Sequence, residues 1–193
     1  MLSLTDTVNR SIAIIDFIAE FKVASFSTLR SIFFHNVSTS YAYRVMAKLV
    51  EYGEIERGRT HLVNEHVYWL RGRKPRQLRH SLLVSEFYRR LHEQVRIAKF
   101  EIEYTVFNKL RPDAFLAYTR ADGKSYIAFV EVEISGNKFN LQKYEDLFNS
   151  GEWRNHYPVF PLLIVISNKT IKSYNKLKVI QVREDFSDIE KLK

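Results

Sequence analysis

Three carboxylates and one lysine in the second half of the chain have the types and spacing for metal-assisted chemistry on a phosphodiester. Asp113 follows Arg111 and Pro112, Glu131 and Glu133 sit two residues apart, and Lys143 follows them. Side chains two apart on a strand share a face, so Glu131 and Glu133 project together. If their strand pairs with the one begun at Arg111, Asp113 and Glu131 meet at one sheet edge. Two or three convergent carboxylates suit Mg²⁺ or Mn²⁺, and such an ion activates water. Glu86, on an upstream helix, completes a metal set of Glu86, Asp113 and Glu131. The catalytic set is Asp113, Glu131 and Glu133, with Lys143 steadying developing negative charge. Two other readings stay open: a relic site that no longer cleaves, and a plain polar sheet face. Against the last, both glutamates interrupt the apolar run Ile127, Phe129, Val130, Val132, Ile134, where a lone charge is costly.

The first half offers a different kind of chemistry. Val8, Ile12, Ile15 and Ala19, flanked by Ile14, Ile18 and Phe21, have helical spacing, and a short second helix follows the N-cap candidate Ser25. Ser38 starts a third helix that runs to about Tyr52, with Gly53 as its stop. Ala42, Val45, Met46 and Leu49 form its core face. Its other face carries Ser38, Thr39, Ser40, Tyr43, Arg44 and Lys48, short polar and basic groups of the kind that enter a DNA major groove. Hydroxyls at a helix N-terminus suit phosphate, and Arg44 is the best single base-reading candidate. Strands over 54–57 and 66–70 follow, joined by a turn at Gly58-Arg59, with Arg57 and Arg59 able to reach the DNA backbone. Three helices and a hairpin give the order of a winged helix.

Residues 71–79 (RGRKPRQLR) form a basic linker, and Arg71, Arg73, Lys74 and Arg76 join the DNA-binding set. Up to residue 79 the chain has twelve Lys plus Arg against seven Asp plus Glu, most of its net charge of +8. That bias favours a polyanionic partner. A helix over 78–94 is followed by strands over 99–106, 111–118 and 125–134. The last two flank an Ala121-Asp122-Gly123-Lys124 turn and form a hairpin. A helix over 140–149, a buried strand over 159–167, a helix over 170–177 and a strand over 179–182 complete an α/β pattern. The expected organisation is two-domain, α+β overall: 1–72 a winged helix-turn-helix, 73–79 the linker, 80–193 an α/β core with a central mixed sheet.

The chain has no cysteine, which excludes disulfides, thiolate zinc sites and cysteine nucleophiles and suits a reducing cytoplasm. No segment reads as a signal peptide or a membrane span. No glycine-rich phosphate loop is present, and the six histidines lack zinc spacing. No cofactor is certain beyond the Mg²⁺ or Mn²⁺ of the carboxylate reading.

Pro112-Asp113 with Glu131-Val132-Glu133 resembles the restriction-endonuclease-like PD-(D/E)xK nuclease core. The whole chain is similar to the replication-relaxation family of plasmid and mobile-element proteins, which joins a winged helix to such a core. The matching stretches are 23–34, Tyr68-Trp69-Leu70, 80–88, Arg111-Pro112-Asp113, 129–133 and Lys143-Tyr144. The resemblance implies binding of double-stranded DNA near an origin, in replication or conjugative mobilisation; the second domain would then grip DNA, form a homodimer, or dock a relaxase or replication initiator. It also argues against cleavage, because the nuclease pattern wants lysine where Glu133 stands. The competing functions are a metal-dependent endonuclease and, third, a transcriptional regulator.

Overall fold

A computed structural model describes residues 4–107, 110–134, 139–171 and 176–193. The described chain is mixed α and β, with five α-helices and two sheets. It divides into two compact units, 1–89 and 90–193. The division falls some ten residues beyond the basic stretch at 73–79, so most of the helix expected to open the second half counts with the first.

In the first unit, α1 (Leu4–Phe21), α2 (Phe26–Phe33) and α3 (Thr39–Glu51) precede a hairpin of β2 (Ile55–Thr60) and β3 (Val63–Leu70). A two-residue β1 (Ala24–Ser25) adds to the outer edge of β3. Both expected caps form: the Ser25 and Ser38 hydroxyls accept the backbone N–H groups of Thr28 and Tyr41. These bonds satisfy donors that a helix start leaves unpaired. Gly53, at φ +73, takes the left-handed conformation that ends α3. On α1 the buried stripe is Ile14, Phe17, Ile18 and Phe21, while Val8, Ile12 and Ala19 face solvent.

The Gly58-Arg59 turn is corrected. Both residues lie inside β2, paired with Val67 and His66, and the chain reverses at His61 and Leu62. Glycine is required at 58 by a neighbour rather than by a turn. A Cβ there would stand 2.6 Å from the Trp69 ring, across the hairpin. Trp69 packs with Val23, Val67 and Leu82, and Leu78 covers the cluster. Its indole N–H donates to Glu56 at 2.8 Å. Leu78 and Leu82 come from α4 (Leu78–His92), which thereby covers one face of the hairpin. No helix among the described residues is long and apolar enough to cross a membrane.

The second unit is built on a five-stranded mixed sheet in the order β4 (Arg96–Ile102), β5 (Ala114–Thr119), β6 (Ser125–Val132), β7 (Leu162–Ile166), β8 (Val179–Val182). The first three strands run antiparallel, and the last two join β6 in parallel. The expected turn at 121–124 closes the β5–β6 hairpin. The strand expected over 99–106 ends sooner, because Glu103 adopts φ +53 and turns its N–H to the Asp113 carbonyl at 2.7 Å. A parallel pair needs a crossover, and α5 (Gln142–Ser150) supplies it between β6 and β7. Tyr144 and Leu147 of α5 bury against Phe115, Phe129, Tyr157, Leu163 and Val165. Of the helix expected over 170–177, residues 172–175 lie outside the described residues.

Candidate functional site

In the first unit the cap geometry of α3 decides which residues face water. With Ala42, Val45, Met46 and Leu49 buried, the remaining positions turn outward. Ser38, Thr39, Ser40, Tyr43, Arg44 and Lys48 are all exposed. The ring of Tyr43, 48% exposed, lies flat on Phe26 at 3.9 Å. Arg30 of α2, absent from the sequence reading, reaches the same place by donating Nε–H to the Thr39 hydroxyl at 3.0 Å. Its signal was only its placement one helix earlier, which no local pattern reveals.

The hairpin continues this face. Arg57 pairs across the strands with Tyr68, and Arg59 with His66, so their side chains alternate onto one side with buried Ile55. Tyr68 is buried, and its hydroxyl is pushed up to about 12, chiefly by burial. Arg57 opposes that rise, while Tyr43 and Glu65 add to it. Arg44, Lys48, Arg57 and Arg59 have no carboxylate partner among the described residues. Arg71, Arg73, Lys74 and Arg76 are exposed too, with the Lys74 ammonium 5.2 Å from the centre of the Trp69 ring.

In the second unit, Asp113 and Glu131 do come together, as their pairing predicts. Asp113 precedes β5 and accepts the Val132 N–H at 2.7 Å, next to Glu131 near the end of β6. The carboxyl of buried Glu131 is pushed up, by loss of water and then by Asp113. Two groups from α5 oppose that rise: the Lys143 ammonium, 2.6 Å from Oε1, and the Tyr144 hydroxyl, which donates to the same oxygen. Tyr144 is the functional neighbour the sequence reading left out of the site; its place beside Lys143 was the available signal. Burial and Glu131 hold its hydroxyl far above the ordinary tyrosine range.

Within the second unit, Glu133 does not gather with this pair into a three-carboxylate cluster. Glu133 lies just past the end of β6, part-exposed, with its N–H on the Ile166 carbonyl at 2.9 Å. Glu86 is engaged within the first unit, where it accepts the Thr28 hydroxyl at 3.0 Å and the Arg89 guanidinium at 2.9 Å. Among the described residues, no three acidic or imidazole side chains gather as a metal site. The donor set at Glu131 is two carboxylates with an ammonium already on one of them. Its single net negative charge is poor for a divalent ion, which favours several carboxylate oxygens.

No family model, curated protein or solved structure matches the chain. The reading of function therefore stands on the geometry of the two sites.

Proposed function

We propose that this chain is a sequence-specific, double-stranded DNA-binding protein whose first unit acts as a winged helix-turn-helix. In this reading α3 enters the major groove, Arg44 reads a base edge, and Arg57 and Arg59 hold the flanking backbone. One observation carries it: the outer side of α3 and the β2–β3 hairpin both expose basic side chains, and Arg44, Lys48, Arg57 and Arg59 among them have no carboxylate partner among the described residues. Some basic side chains of the second unit do meet carboxylates, as in Lys99–Glu101, Arg111–Glu103, Lys124–Asp122 and Lys191–Asp188. Leaving cations unpaired suits a surface that meets phosphate. The second unit is a PD-(D/E)xK-like domain that grips DNA or docks a relaxase or initiator without cutting. The biological setting is replication or mobilisation of a plasmid or mobile element, in the cytoplasm.

A metal-dependent endonuclease is the second reading, favoured by the meeting of Asp113, Glu131 and Lys143. One experiment separates the two. Selection from a library of duplexes with a randomised core should enrich a discrete sequence. Arg44→Ala should weaken binding to that duplex roughly tenfold or more, and binding to a scrambled duplex far less. Equal losses on both would remove Arg44 as a base reader. Incubated with Mg²⁺ or Mn²⁺, supercoiled plasmid carrying the site should stay intact; nicking abolished by Asp113→Ala would establish the endonuclease.

A further inference from the structure

We propose that His66 is a phosphate-binding side chain of the hairpin that takes up a proton when duplex DNA docks. This inference rests on the DNA-binding reading above and adds to it a residue and a linkage.

His66 lies opposite Arg59 in the β2–β3 register, one pair along from Arg57 and Tyr68. Its ring sits 6.5 Å from that of Tyr68 and is only partly exposed. The charged and titratable groups that face it are Arg57 and Arg59 on β2, and Glu65 and Tyr68 on β3. Beyond Tyr68 comes Tyr43 of α3. The one carboxylate among them, Glu65, is already engaged, accepting the Ser27 N–H at 2.9 Å and the Ser27 hydroxyl at 2.6 Å.

Arg59 thus stands across the hairpin from the imidazole and Arg57 one pair along, while Glu65, the one carboxylate that acts on the ring, is bonded to Ser27. Partial burial, then Arg57 and Arg59, hold the ring below its ordinary pKa, against a smaller opposing pull from Glu65. That environment disfavours the imidazolium in the free protein. A phosphodiester laid against Arg57 and Arg59 reverses the local field. It offsets the guanidinium charges and offers an oxygen to the ring N–H, which favours the imidazolium.

The bound state then has the higher pKa. Affinity accordingly grows as pH falls through the bound-state value, and the growth ends below the free-state value. Each unit by which DNA raises that pKa corresponds to about tenfold in affinity.

The test is fluorescence anisotropy of the full chain with a 25-base-pair mixed-sequence duplex from pH 5.5 to 8.5 at constant ionic strength, for wild type and His66→Gln. Wild type should bind roughly five- to tenfold tighter at pH 5.5 than at pH 8, with most of that gain absent from the variant. The gap between wild type and variant should narrow as pH rises and be smallest at pH 8.5. Equal pH slopes would overturn the role of His66 while leaving DNA binding intact. No binding by wild type at any pH in low salt would overturn the DNA-binding reading, and this inference with it. A His66→Gln protein weakened equally at every pH would assign the residue to packing alone and would also overturn the proposal.

Discussion

Gly58→Ala should destabilise the first unit by about 2 kcal/mol, because a new methyl group has nowhere to go. The added carbon would stand 2.6 Å from one atom of the Trp69 ring and 3.2 Å from the next. The ring cannot step aside cheaply. It is buried among Val23, Val67 and Leu82, and its N–H is bound to Glu56. Elsewhere in a strand, alanine in place of glycine would lose less backbone freedom on folding and help slightly. The sign of the change therefore reports the ring contact. Trp69 and Trp153, the only two tryptophans, lie one in each unit. Urea unfolding followed through Trp69, with Trp153 replaced by Phe, should show the loss. With Trp69 replaced by Phe instead, the Trp153 transition should stay in place. Unchanged stability of the first unit would mean that the ring does not lie against the strand.

Lys143→Met should cost the second unit about 2 kcal/mol at pH 8, and much less at pH 5. Breaking a fully buried ion pair costs about 3–5 kcal/mol. Lys143 is one-third exposed, so water screens part of the pair. The pH dependence follows from Glu131, whose carboxyl is pushed up in the folded protein by burial and by Asp113. The folded state therefore binds a proton at higher pH than the unfolded chain does. As pH rises through the folded value, the buried carboxylate charges and stability falls. Without Lys143 that penalty grows, and it disappears once Glu131 is protonated. Glu131→Gln removes the charge itself, so the double variant Glu131→Gln/Lys143→Met should recover most of the loss. Urea unfolding through Trp153 at pH 5 and pH 8 decides the matter. Equal losses at both pH values, or an equal cost of Lys143→Met in the Glu131→Gln background, would show that charge pairing is not what Lys143 contributes.

What the sequence discloses is set by how local each cause is. Ser25 and Ser38 read as caps because a cap bond spans only three residues, and Gly53 reads as a stop because its conformation is its own. The β5–β6 hairpin is legible for the same reason, its turn lying between two apolar runs. From that hairpin the meeting of Asp113 with Glu131 follows. Gly58 misleads because glycine is a turn signal on its own, and the ring that demands it lies eleven positions away. Glu86 is a similar case: nothing in its helix announces that the hydroxyl of Thr28, fifty-eight residues earlier, donates to it. The solvent side of α1 is only partly legible. Asn9, Asp16 and Glu20 mark the exposed side, but Val8, Ile12 and Ala19 share it and blur the apolar stripe, and only packing singles out Ile14 and Ile18. Tyr144 was passed over because a tyrosine beside a lysine signals little until α5 is docked and its hydroxyl meets Glu131.

The most direct measurement of the DNA-binding reading is the salt dependence of duplex affinity. Arg44, Lys48, Arg57 and Arg59, with the exposed basic side chains at 71–76, should neutralise about four to six phosphates. The slope of log K against log salt should then be about −4 to −5. Arg57→Ala/Arg59→Ala should flatten it by about two contacts. A slope near zero, or one untouched by that double substitution, would contradict the account.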